Sequence, residues 1–242
     1  MLIGLIPVFN EEETVIGVLQ ELEKQVDFIV IINDGSCDNT DSLIGSWVKK
    51  KEKAYYISLN NNNGMAYAIK QGFSFILKQY KSGIYTKNDC VVLVDADGQH
   101  DPKNIAAMYR YFFDNKLDLL VARRNFSLYP LHRVIGNNLS SAFVSYLAKF
   151  RFYDVHCGFK ILKITLVADL LDFYTAFRYS CSGQIGVIAG RLGYNIDNSY
   201  LIDGPYYRKG NPNIFDFFTG LFLDLVVASK IKVINRKLSV IE

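Results

Sequence analysis

Four apolar runs in the first hundred residues limit the possible folds more than any other feature of this chain. LIGLIPVF, FIVIIND, AYYISL and CVVLVDAD show no internal alternation of polar and apolar residues, so each reads as a strand buried on both faces. Helical patterns separate them. In EETVIGVLQELEKQ, residues Val15, Val18, Leu19 and Leu22 recur at the spacing of one helix face, and MAYAIKQGFSFILKQY repeats the pattern. The turn DGSCDNT offers Asp38 or Thr40 as a cap for the helix between the second and third strands. Alternating strands and helices predict an α/β fold: a Rossmann-like, mostly parallel central sheet with helices on both faces. LDLLVARR reads as a fifth strand, after which the pattern becomes mainly helical and rich in aromatics.

At 242 residues, half of them apolar, the chain can bury a sizeable core. A net charge of +3 is too slight for nucleic acid to be the default partner. Cys37, Cys90, Cys157 and Cys181 are widely spaced and form no CxxC pair, which disfavours a structural zinc and fits a reducing cytoplasm. The opening MLIGLIPVFNEEE lacks a basic leader and is broken by a proline and acids, so it reads as a strand and not a signal peptide.

In an open α/β sheet, ligands bind outside the carboxyl ends of the strands. The unusual polar residues cluster at those ends: Pro7 to Glu11, Asp34 to Ser36, Asn60 to Gly64 and Asp95 to Gln99. The last is the sharpest. VVLVDADGQHDP passes from a buried run into two carboxylates one residue apart, Asp95 and Asp97. Like charges held close raise a pKa or call for a cation, and oxygen donors of this kind suit Mg²⁺ or Mn²⁺. Asp101-Pro102 reads as an ordinary helix start, with the acid at the cap and proline at the first position. A hard cation with few protein ligands commonly partners a diphosphate. No P-loop, no GxGxxG after the first strand and no HExxH are present, which disfavours a kinase, a dinucleotide enzyme and a zinc hydrolase.

Taken in order, IPVFNEEETV, INDGSCDNT, NNGMAYAIKQG and VDADGQHDP resemble the family 2 glycosyltransferases, which have the GT-A nucleotide-sugar fold. VARRN and DVHCGFK further resemble segments of the polyprenyl-phosphate sugar synthases, the mannose and glucose types among them. The resemblance implies that Pro7, Asn10, Glu11 and Asp34 hold the nucleoside, with Gly64 and Ala66 letting backbone pass close to it. It places Asp95 near the ribose and diphosphate and gives the metal to Asp97 and Gln99, with Asp95 beside them. Arg123, Arg133 and Arg208 match the cations that handle donor and acceptor phosphates, for which a guanidinium's forked geometry suits. Gln184 departs from the pattern, standing where the family carries a glutamate.

The expected activity is an inverting, metal-dependent transfer of a sugar from a UDP- or GDP-sugar to a polyprenyl phosphate. A phosphate acceptor is already ionised and needs no base; a sugar hydroxyl does, and Asp154 is then the candidate, its alternative being a turn or capping residue before Cys157-Gly158. Two rivals stay open: a transferase of the same fold acting on a glycan hydroxyl in capsule or lipopolysaccharide assembly, and a non-catalytic nucleotide-sugar-binding subunit.

Residues 1–210 are expected to form the catalytic domain, and residues 211–242 a helical C-terminal segment with a basic tail. In IFDFFTGLFLDLVVASKI, Asp216, Gly220 and Asp224 make one narrow polar stripe on an otherwise apolar helix. Such a helix is packed on its domain, forms a dimer interface, or lies in a membrane surface. Lys230, Lys232, Arg236 and Lys237 favour peripheral contact with anionic headgroups at the cytoplasmic face, and a homo-oligomer stays open.

Overall fold

The computed structural model describes residues 1–203 and 214–234. The four apolar runs form β1 (Leu2–Val8), β2 (Phe28–Asn33), β3 (Ala54–Ser58) and β4 (Cys90–Leu93). Between them lie α1 (Val15–Leu22), α2 (Thr40–Val48) and α3 (Met65–Lys81). All four expected positions of α1 are buried. The cap position of α2 falls to Asn39 and not to Asp38 or Thr40; Asp38, one residue earlier, accepts the Thr40 N–H on Oδ1 at 3.0 Å. The Asp101 carboxylate likewise accepts the Lys103 N–H at 3.0 Å and starts a 3-10 turn, Pro102–Asn104, that leads into α4 (Ile105–Asp114).

The expected fifth strand is broken at Ala122 into β5 (Leu119–Val121) and β6 (Arg123–Arg124). Then come α5 (Leu131–Ala148), β7 (Lys160–Lys163), α6 (Ile164–Phe173), α7 (Cys181–Arg191), β8 (Ile196–Asp197), β9 (Leu201–Ile202) and α8 (Ile214–Lys230). The main sheet has the order β3-β2-β1-β4-β7-β5-β8, and β6 pairs with β9 apart from it. All its pairings are parallel except those of β7, which runs antiparallel between β4 and β5. Four residues that pass directly into a helix carry too little pattern to announce themselves as a strand, so β7 was not expected.

β1 has β2 on one side and β4 on the other, which makes the gap beyond Val8 and Leu93 the switch point where such sheets accept ligands. Lys160 pairs with Leu93 in β4 and Val121 in β5, so the start of β7 lies at that same edge. The sheet centre is dry: Leu5, Ile6, Ile31, Val91 and Val92 have no exposed surface. Burying each such side chain is worth about 1.5–3 kcal/mol. Two connected sets of helices cover the sheet, α1 with α2 and the turn before α4, and α3 with α6 and α7.

α8 packs on α5 and α7 with its polar stripe turned inward. Asp216, Gly220 and Asp224 are buried, while Phe215, Phe218, Phe222 and Leu225 are exposed. No described helix is long and apolar enough to cross a membrane. Arg236 and Lys237 lie outside the described residues. Burial holds the Asp224 carboxyl well above its ordinary value of 3.8, and its Oδ1 has no hydrogen-bond partner among the described residues. A carboxyl that folding prefers protonated supports the fold most below its unfolded pKa and loses that support as pH rises through its folded value. Asp224→Asn is therefore expected to raise Tm by a few degrees at neutral pH, with the gain vanishing below about pH 4; thermal melts across pH would refute this by showing a constant difference.

Candidate active site

The loops that leave β1, β2 and β4 are tied to one another at the switch point. Pro7 is buried in β1, opposite Ile32. Asn10, at φ 54°, accepts the Cys37 N–H on its Oδ1 at 2.8 Å and gives its own N–H to Ser36 Oγ at 3.0 Å. The Glu11 N–H donates to Thr40 Oγ1 at 2.9 Å. The Thr14 hydroxyl lies 2.9 Å from Glu11 Oε2 and 2.8 Å from the Ala96 carbonyl, which joins the loop after β1 to the acidic loop after β4.

Asp34 is nearly buried and holds the loop before α3. Its Oδ1 accepts the Asn63 N–H at 2.9 Å and its Oδ2 the Gly64 N–H at 2.7 Å. Burial raises its pKa, against the pull of those two bonds. Gly64 has φ 91°, a backbone state open to glycine, and a Cβ there would stand 2.9 Å from Arg178 Cα. Asp34 thus shapes the cradle that leads into α3.

The strand ends at Leu93, and the chain turns through Gly98 at φ 77°. Asp97 Oδ1 accepts the Gln99 N–H at 3.0 Å. Burial, followed by the charges of Asp95 and Glu11, pushes the Asp97 carboxyl up to about 6. Two half-buried carboxylates that repel each other suit a hard divalent cation. Among the described residues no group of three or more His, Cys, Asp or Glu stands ready to hold a metal by itself, so oxygens of a bound diphosphate would complete the shell. If Asp97 is a metal ligand, a cation competes there with a proton held up to about pH 6, and Mn²⁺ affinity is expected to fall as pH drops through that value. Calorimetric titration on either side of that pH measures it, and a flat profile would remove Asp97 from the metal site.

The segment returning along β7 supports Asp95 from behind. A Cβ on Gly158 would lie 2.2 Å from Asp95 Oδ2, so a larger residue there would push the Asp95 carboxylate aside. His100 is buried, stacks on Phe159 at 5.2 Å and brings Nδ1 to 3.4 Å from Asp95 Oδ2. Lys160, with 1% of its surface exposed, donates to the Cys157 carbonyl and to Ser182 Oγ at 2.9 Å, and burial lowers its pKa. His100 adjoins the acidic cluster in the sequence and touches Asp95 here, whereas the contacts of Gly158 and Lys160 were not expected, the CGFK run being their only signal.

Asp154 is not where a general base must be. It has no exposed surface and forms a two-pronged pair with Arg124, Nε to Oδ2 and Nη2 to Oδ1, both at 2.8 Å. Burial works against its charge, but the Arg124 bonds outweigh that and hold it below the usual carboxylate range. A base that cannot meet an acceptor hydroxyl is a structural ion, and the expectation is corrected accordingly. Asp154→Asn leaves the Arg124 charge unmatched and is expected to cost about 3–5 kcal/mol in denaturant unfolding.

Arg123 and Arg124 are neighbours in β6 and therefore point to opposite sides. Arg123 stands over the Tyr153 ring at 4.7 Å, and Arg151 lies 5.0 Å from the same ring. No carboxylate among the described residues pairs with either. Arg133, on α5, has a buried Nε without a hydrogen-bond partner, and its side chain pairs with no carboxylate among the described residues. Arg208 lies outside the described residues. Gln184 is fully buried and spent on Thr175, accepting its N–H at 2.6 Å and donating to its Oγ1 at 3.2 Å, so the departure from the family pattern serves packing.

Comparison with known proteins shows the family and the fold. The family described as Glycosyl transferase family 2 matches residues 5–161. An uncharacterized protein of Methanocaldococcus jannaschii is 36% identical over 178 residues, covering 70% of this chain and 74% of its own. The UDP-N-acetylglucosamine–dolichyl-phosphate N-acetylglucosaminyltransferase of Methanococcus voltae is 27% identical over 211 residues, covering 79% and 81%. Among solved structures, glucosyl-3-phosphoglycerate synthase from Mycobacterium tuberculosis, with Mn²⁺, UDP-glucose and phosphoglyceric acid, aligns at a TM-score of 0.64 and 14% identity over 96% of this chain and 80% of its own. A mannosyltransferase from Pyrobaculum calidifontis, with GDP-mannose and Mn²⁺, aligns at 0.56 and 14% over 95% and 73%.

Proposed function

The chain belongs to glycosyltransferase family 2, an enzyme with the GT-A fold that uses nucleotide sugars, and we propose that it transfers the sugar to a polyprenyl phosphate with inversion at the anomeric carbon. The observation that carries this reading is the Asp95–Asp97 pair at the switch point, beside the loop that Asp34 holds. Asn10, Glu11 and the Gly64 backbone would receive the nucleoside. Asp97 and Gln99 would hold Mg²⁺ or Mn²⁺, with Asp95 facing the ribose and diphosphate. Such a cation, when bound, offsets the charge that builds on the departing diphosphate. Arg123 and Arg133 would take the remaining phosphate charge, their guanidinium groups having no carboxylate partner among the described residues.

A phosphate acceptor attacks without a base, and the burial of Asp154, the candidate base for a glycan hydroxyl, supports that reading. The dolichyl-phosphate transferase of Methanococcus voltae supports the same acceptor class. A lipid acceptor asks for a lipid surface. The outward Phe218 and Phe222 of α8, 61% and 63% exposed, and the outward Leu131, Ile135 and Leu139 of α5 offer one. Arg191 holds the carboxyl ends of both helices together, donating to Leu147 O at 2.8 Å and Ile231 O at 3.0 Å. Lys149, Arg151, Lys230 and Lys232 are exposed near those ends, suited to anionic headgroups.

The purified protein, given UDP- or GDP-sugars, polyprenyl phosphate and Mn²⁺, is expected to yield a glycosylated lipid phosphate of inverted anomeric configuration by NMR. Asp97→Ala should abolish that product, whereas Asp154→Asn should retain it in the folded fraction. Transfer to a free glycan in place of the lipid would overturn the acceptor assignment.

A further inference from the structure

The inward stripe of α8 is read out, residue by residue, by one short segment of the chain. Asp216 Oδ2 lies 3.4 Å from Arg178 Nη1, a Cβ on Gly220 would stand 3.0 Å from the Ser180 Cβ, and a Cβ on Gly183 would stand 2.5 Å from Asp224 Oδ2. Three successive turns of α8 are therefore seated along residues 178 to 183. The Ser180 hydroxyl braces that segment, accepting the Phe177 N–H at 2.8 Å and donating to Phe177 O at 2.9 Å.

Arg178 also touches the loop before α3. Its backbone sits at φ 48°, a left-handed state that an arginine keeps only when its surroundings impose it. Its carbonyl accepts the Ala66 N–H at 2.8 Å, which satisfies one of the donors left unpaired in the first turn of α3. Its Cα is the atom that a Cβ on Gly64 would meet at 2.9 Å. Gly64 and Asn63 are the two amides that Asp34 holds. The side chain of Arg178 thus engages α8, and its backbone engages the cradle.

We propose that Arg178 is a positioning residue that transmits the seating of α8 to the donor loop at residues 61–66, so that the apolar helix sets the affinity for the nucleotide sugar. This rests on the donor reading above. If α8 shifts, Arg178 loses Asp216, its constrained backbone is free to relax, and the carbonyl that holds Ala66 moves away. Donor affinity then falls by the fraction of time the loop spends out of place. Linkage makes the effect reciprocal: a lipid surface that holds α8 in its seat tightens donor binding, and bound donor tightens docking.

The test uses the full chain and three variants: Asp216→Asn, Arg178→Ala and Arg178→Lys. Hydrogen exchange should quicken at residues 61–66 in the first two, return toward wild type in Arg178→Lys, and stay unchanged across β2. Affinity for UDP or GDP with Mn²⁺ should weaken about fivefold or more in the first two, the lower end of usual couplings, and show as a raised donor KM with kcat retained. The Asp216→Asn/Arg178→Ala double variant should be no worse than either single one. Vesicles of equal parts phosphatidylcholine and phosphatidylglycerol should tighten nucleotide binding by wild type but not by Asp216→Asn. Unchanged exchange at 61–66, or additive losses in the double variant, would overturn the link. Faster exchange in a protein that binds neither nucleotide would overturn the donor reading, and with it the purpose assigned to Arg178.

Discussion

The Asp154 carboxylate has no exposed surface and keeps its charge because Arg124 matches it with two parallel bonds, a pair that ties the end of β6 to the segment leading into β7. Arg124 continues from β5 and Asp154 precedes β7, so the pair closes the path between two strands that are adjacent in the sheet but nearly forty residues apart in sequence. Asn198 adds a third chain segment, accepting the Tyr153 and Asp154 N–H groups at 2.7 and 2.8 Å. With this junction fixed, β7 enters antiparallel at Lys160, Gly158 comes to rest against Asp95, and the acidic loop has a floor.

The first half of the fold was legible because its strands are buried on both faces and its helices have one apolar side. Those two periodicities leave little room for another arrangement. The carboxylate pair was legible for a related reason: charge directly after a buried strand has few uses. The second half resisted because its determinants are pairwise and remote. Nothing in the sequence separates Arg123 from Arg124; only the alternation of a strand that pairs with residues near 201 decides which one turns inward. Asp154 read as a candidate base because a sequence states a residue's chemistry but not its access to solvent. Gly158 read as part of a motif, and its reason, the lack of space beside Asp95, exists only once the chain is folded.

Asp34 shows a second task that a site residue carries out within the fold. It stands at the end of a buried strand, and both of its oxygens accept from loop amides. Its contribution is preorganisation: the cradle is built before any ligand arrives, and the cost of ordering it is met during folding. The Thr14 hydroxyl does similar work between Glu11 and Ala96. The ligand edge is thus a set of loops bonded to one another, which is why substitutions at residues that never meet a ligand will alter binding there.

The orientation of α8 bears on how the protein behaves once it is isolated. A helix that hides its carboxyls and presents phenylalanines inverts the usual division between inside and outside, so water is a poor solvent for that face. In plain buffer the phenylalanine faces of separate molecules would seek each other, and the apparent molecular size would depend on protein concentration and on detergent. An oligomer seen under such conditions would describe the solvent as much as the protein.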